Sequence, residues 1–332
     1  MSEVFDNKRI LVTGATGLLG SNLVRRLLAM NTGSIIAVGR SMSKLESVLG
    51  DCGEKVTLLQ HDITQSLPTD VGQIDYIFHA AGPIGGKIII ETPADVVLSN
   101  VMGTINCLEY LKHQNEKGVF VAFSSATVAN YKCNEDSSFD ETETELTNSL
   151  DAAYAPYTES KRMVEVLANS YYWQYGIPIL IGRFSYVYGY SKSMPRTAFF
   201  DFIQNAIDGE DVVMTAPVDE KRDNIYVDDA IDGLLRICEK GKYGEAYNIS
   251  SNGELGNFAS MVDIARVIVA TKNARTPEKP IQLILKKDPI KKPGIMLNNS
   301  KLANLTGGAV VKVSINQGVS AVMDAMEAHL KI

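Results

Sequence analysis

The chain is poor in the residues from which metal sites and disulfide frameworks are made: among 332 residues it has four cysteines, four histidines and a single tryptophan. Cys52, Cys107, Cys133 and Cys238 include no C-x-x-C pair, and the histidines lie far apart in sequence. A zinc site and a disulfide framework are therefore not expected, and free thiols in a reducing cytoplasm are. There is no excess of basic charge either. The formal net charge is −7, so no general electrostatic attraction to nucleic acid or to an anionic membrane is expected. Any anionic ligand must be held by a local site. No stretch is long and apolar enough to span a bilayer, and the polar segment before Arg9 lacks the apolar core of a signal peptide. With 45% hydrophobic and 21% charged residues, the composition is that of an ordinary globular protein. The expected location is the cytoplasm.

What is present is rhythm. Short apolar runs at 9–13, 34–38, 55–59, 76–79, 119–123 and 177–181 alternate with helical patterns such as 21–30, 104–113 and 159–172. Buried strands alternating with helices predict an α/β fold with a doubly wound parallel sheet of the Rossmann type. The rhythm weakens after residue 189. Helices are expected at 196–208, 227–240, 257–271 and 315–330, and strands at 211–214, 246–249 and 281–285, the last inside a proline- and lysine-rich loop at 275–294. This predicts a dinucleotide-binding domain over 1–189, rejoined by 227–249. A smaller mixed lobe over 190–226 and 250–332 would complete a ligand cleft.

The first strand ends in Thr13-Gly14-Ala15-Thr16-Gly17-Leu18-Leu19-Gly20 and opens the first helix. Gly14 suits a tight turn, Gly17 lets backbone approach a pyrophosphate, and Gly20 permits close helix–strand packing. The phosphates would meet free N–H groups at the helix N-terminus. A dinucleotide is therefore expected. At the end of the second strand an NAD site would carry a carboxylate for the ribose; here Val38-Gly39-Arg40-Ser41 offers none. Arg40 and Ser41 suit a 2′-phosphate, which favours NADP, with NAD as the alternative if Arg40 is a solvated surface arginine. Asp62 is a candidate acceptor for the adenine amino group, or a plain loop carboxylate. Ala80, Ala81 and Gly82 leave room for a cofactor at the end of the fourth strand, where His79 reads as structural.

Tyr157-Thr158-Glu159-Ser160-Lys161 puts a phenol and an ammonium on one helix face. The lysine is expected to favour the phenolate and so lower the tyrosine pKa. Phe123-Ser124-Ser125-Ala126-Thr127 ends the fifth strand with a hydroxyl able to polarise a substrate oxygen while Tyr157 moves a proton.

With these motifs the chain resembles the extended short-chain dehydrogenase/reductase family, in its branch of NAD(P)-dependent nucleotide-sugar epimerases and dehydratases. Weaker matches at 100–104, 182–189, 222–229 and 246–249 follow in family order. The resemblance implies a triad of Ser125, Tyr157 and Lys161, with Ser125 preferred because it directly precedes Ala126-Thr127-Val128. It implies cofactor contacts from the glycine loop (Gly14, Thr16, Gly17, Leu18, Leu19 and Gly20), Arg40, Ser41, Asp62, Ile63, Ala80, Ala81, Gly82 and Asn100, together with Tyr157 and Lys161. It further implies a nucleotide-sugar substrate touched by Ser124, Ser125 and Arg222, no metal, and a homodimer through the helices near 104–113 and 159–172. Arg222 matches the family arginine that contacts the nucleotide diphosphate; a surface salt bridge with Asp223 or a neighbour is the competing reading.

Departures from the family narrow the reaction. The 4,6-dehydratases carry an Asp-Glu pair after the catalytic hydroxyl, and the UDP-glucuronate decarboxylases a Glu; this chain has Ala126 and Thr127. Epimerisation, usually at C4, or net reduction of a 4-keto sugar remains. A non-sugar ketoreductase or a silent dinucleotide-binding protein are minor alternatives. Ala129-Asn130 replaces the usual Tyr-Gly, and Ser185 is set against the asparagine of an Arg-x-x-Asn segment. The acidic loop at 135–151 either borders the site or is a solvated surface.

Overall fold

A computed structural model describes residues 3–83, 86–114, 116–129, 138–144, 149–193 and 197–330. Asn130, Cys133, Arg196 and residues 135–137 and 145–148 of the 135–151 loop lie outside the described residues.

From the N-terminus the elements run β1 (Arg9–Thr13), α1 (Leu18–Leu28), β2 (Ser34–Gly39), α2 (Met42–Leu49), β3 (Val56–Gln60), β4 (Tyr76–His79), α3 (Gly86–Glu91), α4 (Pro93–Lys112), β5 (Val119–Ser125), α5 (Ala155–Tyr175), β6 (Ile179–Phe184) and β7 (Tyr186–Tyr188). The chain continues through α6 (Ala198–Asp208), β8 (Val212–Met214), β9 (Val218–Tyr226), α7 (Val227–Lys240), β10 (Glu245–Ile249), β11 (Phe258–Ala259) and α8 (Met261–Arg275). It ends with β12 (Leu283–Leu285), β13 (Ile290–Ile295), α9 (Ser300–Thr306) and α10 (Ile315–Leu330).

Seven strands form one sheet in the order β3-β2-β1-β4-β5-β6-β10, and every pair in it is parallel. A parallel sheet must be covered on both faces. Residues alternating along each strand therefore feed two cores. On one side Ile10, Val12, Val121 and Leu180 pack with Leu23 and Leu27 of α1 and Leu234 of α7. On the other, Leu11, Ile77, Phe120, Ile179 and Ile181 pack with Cys107 and Leu108 of α4 and Val164 and Ala168 of α5. The order reverses beside β1, so the crevice for a ligand opens at the carboxyl ends of β1 and β4.

A second core joins α6, α8 and α10 through Phe199, Ile203, Ile264, Ile268, Val319 and Met323. Strand β9 pairs with β7, β11 and β13, and β8 pairs with β12. Within 227–249, β10 pairs with β6 at the edge of the large sheet, and α7 packs on its face. Part of 250–332 returns as well: Leu302, Val310 and Val311 belong to the core beneath α7, because α7 has a second apolar flank that they cover. The segment 275–294 holds strand β12 and most of β13, not one strand in a loop.

Candidate active site

The loop between β1 and α1 is closed by contacts that leave no room for a side chain. Gly14 has φ +62°, and a Cβ there would lie 2.8 Å from the backbone of Ala80 and Ala81. A Cβ on Gly20 would be driven into the carbonyl oxygen of Gly14. Gly17 is the N-cap of α1 and supplies no capping side chain, so the first N–H groups of the helix, at Leu18 and Leu19, are free for a phosphate. Thr13 fixes the opposite wall: its hydroxyl accepts from Ala81 N at 3.1 Å and meets His79 Nδ1 at 2.9 Å. Burial, helped by Lys161, depresses the His79 pKa to about 3, so the ring stays neutral and structural, as expected.

At the far end of the crevice a Cβ on Gly82 would stand 2.6 Å from Asn100 Oδ1 and 3.5 Å from Lys161 Nζ. Asn100 Oδ1 is buried with no hydrogen-bond partner among the described residues, whereas its Nδ2 donates to Ser160 Oγ at 2.8 Å. The glycine cradle, the uncapped helix start and this open acceptor all fit a dinucleotide.

The adenosine end is less uniform. Arg40 is exposed just beyond β2. Ser41 caps α2, its Oγ accepting from Lys44 N at 3.3 Å. Asp62 Oδ1 already accepts from Thr64 N at 3.0 Å and Thr64 Oγ1 at 2.9 Å. Those bonds hold its carboxyl below the usual range, with a smaller contribution from Arg40. Ile63 is buried in the α4-side core.

The two serines ending β5 point to opposite faces, as successive strand residues must. Ser124 Oγ donates to Glu165 Oε1 at 2.5 Å, and Glu165 pairs with Arg183 at 2.8 Å. The Ser124 hydroxyl thus donates into the Glu165–Arg183 ion pair, on the face of the strand away from Ser125. Ser125 faces the site. Its Oγ accepts from Thr127 N at 3.2 Å and Thr127 Oγ1 at 3.1 Å, and it lies close enough to the phenol of Tyr157 to favour its ionised form.

Tyr157 and Lys161 project from α5 one turn apart. The expected lowering of the phenol pKa does not occur in the protein alone. Burial pushes Tyr157 up, opposed only by the Ser125 hydrogen bond. Lys161 is itself buried, donates from Nζ to Phe123 O at 2.8 Å, and is pushed down to about 8. Sharing a helix face brought the two residues together, but burial shifts each towards its neutral form. Behind them Asn100 Nδ2 donates to Ser160 Oγ, which donates to Tyr157 O at 2.9 Å, tying α4 to the catalytic turn of α5.

Arg222, on β9, closes the opposite side. It pairs with Glu220 at 2.8 Å, not with Asp223, and its guanidinium lies 4.4 Å from the ring centroid of Tyr186. Asp223 points the other way, accepting from Ser251, Asn252 N and Leu297 N; burial nevertheless raises it to about 6.

Residues 10–250 match the NAD dependent epimerase/dehydratase family. The chain belongs to that family. It is thus an enzyme of the extended short-chain dehydrogenase/reductase type. Among its relatives is UDP-glucuronic acid decarboxylase 6 of Arabidopsis thaliana, 29% identical over 289 residues that cover 84% of this chain and 77% of that protein. The fold is shared with the UDP-glucuronic acid 4-epimerase of Bacillus cereus, solved with UDP-glucuronic acid and NAD (TM-score 0.78, 24% identity, 97% of this chain and 99% of that one). It is shared too with the Bordetella bronchiseptica enzyme WbmF, solved with NAD+ and UDP (TM-score 0.74, 25% identity, 100% of this chain and 95% of that one).

Within this family frame the structure brings Ser125, Tyr157, Lys161, Asn100 and Gly82 into one cluster and sets Arg222 across the cleft. Sequence reasoning missed Tyr186. Counted from Arg183, the fourth position of the Arg-x-x-Asn segment is Tyr186, not Ser185, so the comparison was one residue out of register. Ser185 is buried and its Oγ has no partner among the described residues. Among the described residues no cluster of three or more His, Cys, Asp or Glu could hold a metal ion. No helix among them is long and apolar enough to cross a membrane.

Proposed function

We propose that the chain is an NADP-dependent nucleotide-sugar epimerase acting at a sugar carbon, most simply C4, through Ser125, Tyr157 and Lys161. The observation that carries this reading is the gathering of Ser125, Tyr157 and Lys161 at the end of β5, with Lys161 bound to Phe123 O at 2.8 Å and the Tyr157 phenol within reach of Ser125, and with Arg222 facing the same cleft. Arg222 would hold the diphosphate, because its fork matches two phosphate oxygens. Ser125, whose two acceptor positions are taken by Thr127, would turn its proton from the Tyr157 phenol to the oxygen on the reacting carbon. Tyr157 would take the hydroxyl proton from that oxygen and return it. Lys161, held between Phe123 O and the crevice floor at Gly82, would orient a ribose hydroxyl and stabilise the phenolate as it forms. When bound, the dinucleotide supplies the hydride acceptor and donor, and its positive ring offsets the burial that raises the Tyr157 pKa. The sugar turns over between the two transfers.

NADP is supported by the exposed Arg40 and by the absence of a carboxylate at the end of β2; the two solved relatives above hold NAD. The decarboxylation performed by the plant relative lacks its acid–base residue here, because Ala126 and Thr127 follow Ser125 and Thr127 is bonded back to it. A homodimer in the cytoplasm, with no nucleic-acid or membrane partner, is part of the same proposal. Val97, Leu98 and Met102 of α4 and Met163, Val166 and Trp173 of α5 are exposed apolar side chains on one pair of packed helices, a surface that a second copy would cover.

The test is incubation with a panel of nucleotide sugars, with products separated by chromatography and absorbance followed at 340 nm. Formation of an epimer without net absorbance change supports the epimerase, and Tyr157→Phe should nearly abolish it while cofactor binding survives. Stoichiometric loss of NADPH with a 4-keto nucleotide sugar, and no epimer, would replace it with the reductase reading.

A further inference from the structure

Tyr186 opens β7, two residues after β6 ends, and β7 pairs with the strand that carries Arg222. It pairs with Asn224 of β9. One face of its ring carries the Arg222 guanidinium, 4.4 Å from the centroid. Its hydroxyl lies within electrostatic reach of Tyr157, Tyr154 and Glu220. The residue remains 37% exposed. A ligand that touches both Tyr157 and Arg222 must therefore pass along Tyr186.

Two consequences follow from the chemistry of the side chain. An arginine fork stacked on a ring keeps its plane fixed, so less freedom is lost when it meets a diphosphate. A phenolic O–H is both donor and acceptor, and a sugar bristles with hydroxyls of the same kind. An aromatic ring with a hydroxyl at this place can therefore serve both halves of a nucleotide sugar.

We propose that Tyr186 is a specificity-determining residue whose ring pre-orients Arg222 for the diphosphate and whose hydroxyl hydrogen-bonds a sugar hydroxyl beside the carbon presented to Tyr157. This rests on the nucleotide-sugar reading above. The two roles separate in two variants. Tyr186→Phe keeps the stacked ring and removes the hydroxyl. Tyr186→Leu removes both.

The experiment is calorimetric titration of the wild-type protein and both variants with UDP, dTDP, GDP and CDP and with the glucose ester of each. Tyr186→Phe should leave the bare nucleotide that binds best within about twofold of wild type, while weakening its glucose ester about five- to tenfold, the loss of one hydrogen bond. Tyr186→Leu should also weaken the bare nucleotide, by about threefold, as the cation–π contact is lost. Equal binding of the ester by wild type and Tyr186→Phe would overturn the proposal. So would a loss shared equally by nucleotide and ester in Tyr186→Phe, since that marks a disturbed fold and not a missing sugar contact. If the wild-type protein binds none of the eight compounds, the functional reading itself fails and takes this one with it.

Discussion

Replacing Lys161 by Met should make the protein more stable at neutral pH while destroying its activity. Lys161 is 8% exposed, and burial moves its pKa from 10.5 to about 8. Below pH 8 it is charged in both folded and unfolded chains, so the folded state carries the full penalty of a buried ammonium. At roughly 1.4 kcal/mol per pKa unit the shift costs about 3 kcal/mol. Methionine has similar length and no charge, and it forfeits only the bond from Nζ to Phe123 O, worth about 1 kcal/mol. The net gain at pH 7 is about 2 kcal/mol. The sign against pH follows from linkage. Between pH 8 and 10.5 the unfolded lysine binds more protons than the folded one, so wild-type stability rises with pH through that window and the advantage of the variant shrinks. By pH 10 it should be mostly gone. Urea unfolding of cofactor-free wild type and Lys161→Met at pH 7 and pH 10 measures both quantities. A variant no more stable than wild type at pH 7, or a difference that is the same at both pH values, would refute the reasoning.

Other perturbations test other parts of the site. Glu165→Ala leaves the Arg183 guanidinium, whose side chain is 6% exposed, with Glu141 O as its remaining acceptor; a loss of about 3–5 kcal/mol in urea unfolding is expected, and Glu165→Gln should lose less. Gly20→Ala pushes a methyl onto Gly14 O and deforms the phosphate loop, so dinucleotide affinity measured by fluorescence titration should fall at least about tenfold, as expected where backbone must approach a pyrophosphate. Arg40→Ala should weaken NADPH about 10- to 100-fold and leave NADH nearly unchanged, the loss of a charge-assisted contact to a 2′-phosphate; equal effects on both nucleotides would show that Arg40 reads no phosphate.

The half of the site contributed by the large sheet was open to sequence reasoning because its geometry is local. Strand β2 reads Ser-Ile-Ile-Ala-Val-Gly, and a run apolar on both faces can only be a covered parallel strand. The glycine loop follows β1 without a gap, and Tyr157 and Lys161 are one turn apart on a single helix. Ser41 shows the limit of residue type. A serine just past a strand suits a phosphate ligand and a helix cap alike, and only the formation of α2 shows it capping. Ser124 and Ser125 differ by strand parity, which sequence predicts once the strand is known; the buried Glu165 that claims Ser124 lies 41 residues away and could not be read. The pKa expectation for Tyr157 failed for a related reason. Spacing of i and i+4 sets proximity, whereas the degree of burial depends on how α4 and β5 close over the pair.

The other half of the site resists sequence reading because β9 has none of the pattern of a strand. Val-Asp-Glu-Lys-Arg-Asp-Asn-Ile-Tyr is polar through its middle, and its backbone is satisfied by β7, β11 and β13, not by apolar neighbours in sequence. That arrangement also explains how a charged segment can line a cleft. Its alternation places Glu220 and Arg222 on one face and Asp223 on the other, where Asp223 is bound by backbone N–H groups of Asn252 and Leu297 and by Ser251. Fixing Asp223 in this way fixes the orientation of Arg222, its neighbour. Arg222 is thus aimed by a buried carboxylate on the far side of its own strand, and it pairs with Glu220; on the function proposed above, a diphosphate would take the place of Glu220. The Tyr157 half of the candidate site is held by the large sheet, and the Arg222 half by this polar knot. Tyr186 is the residue at which the two meet.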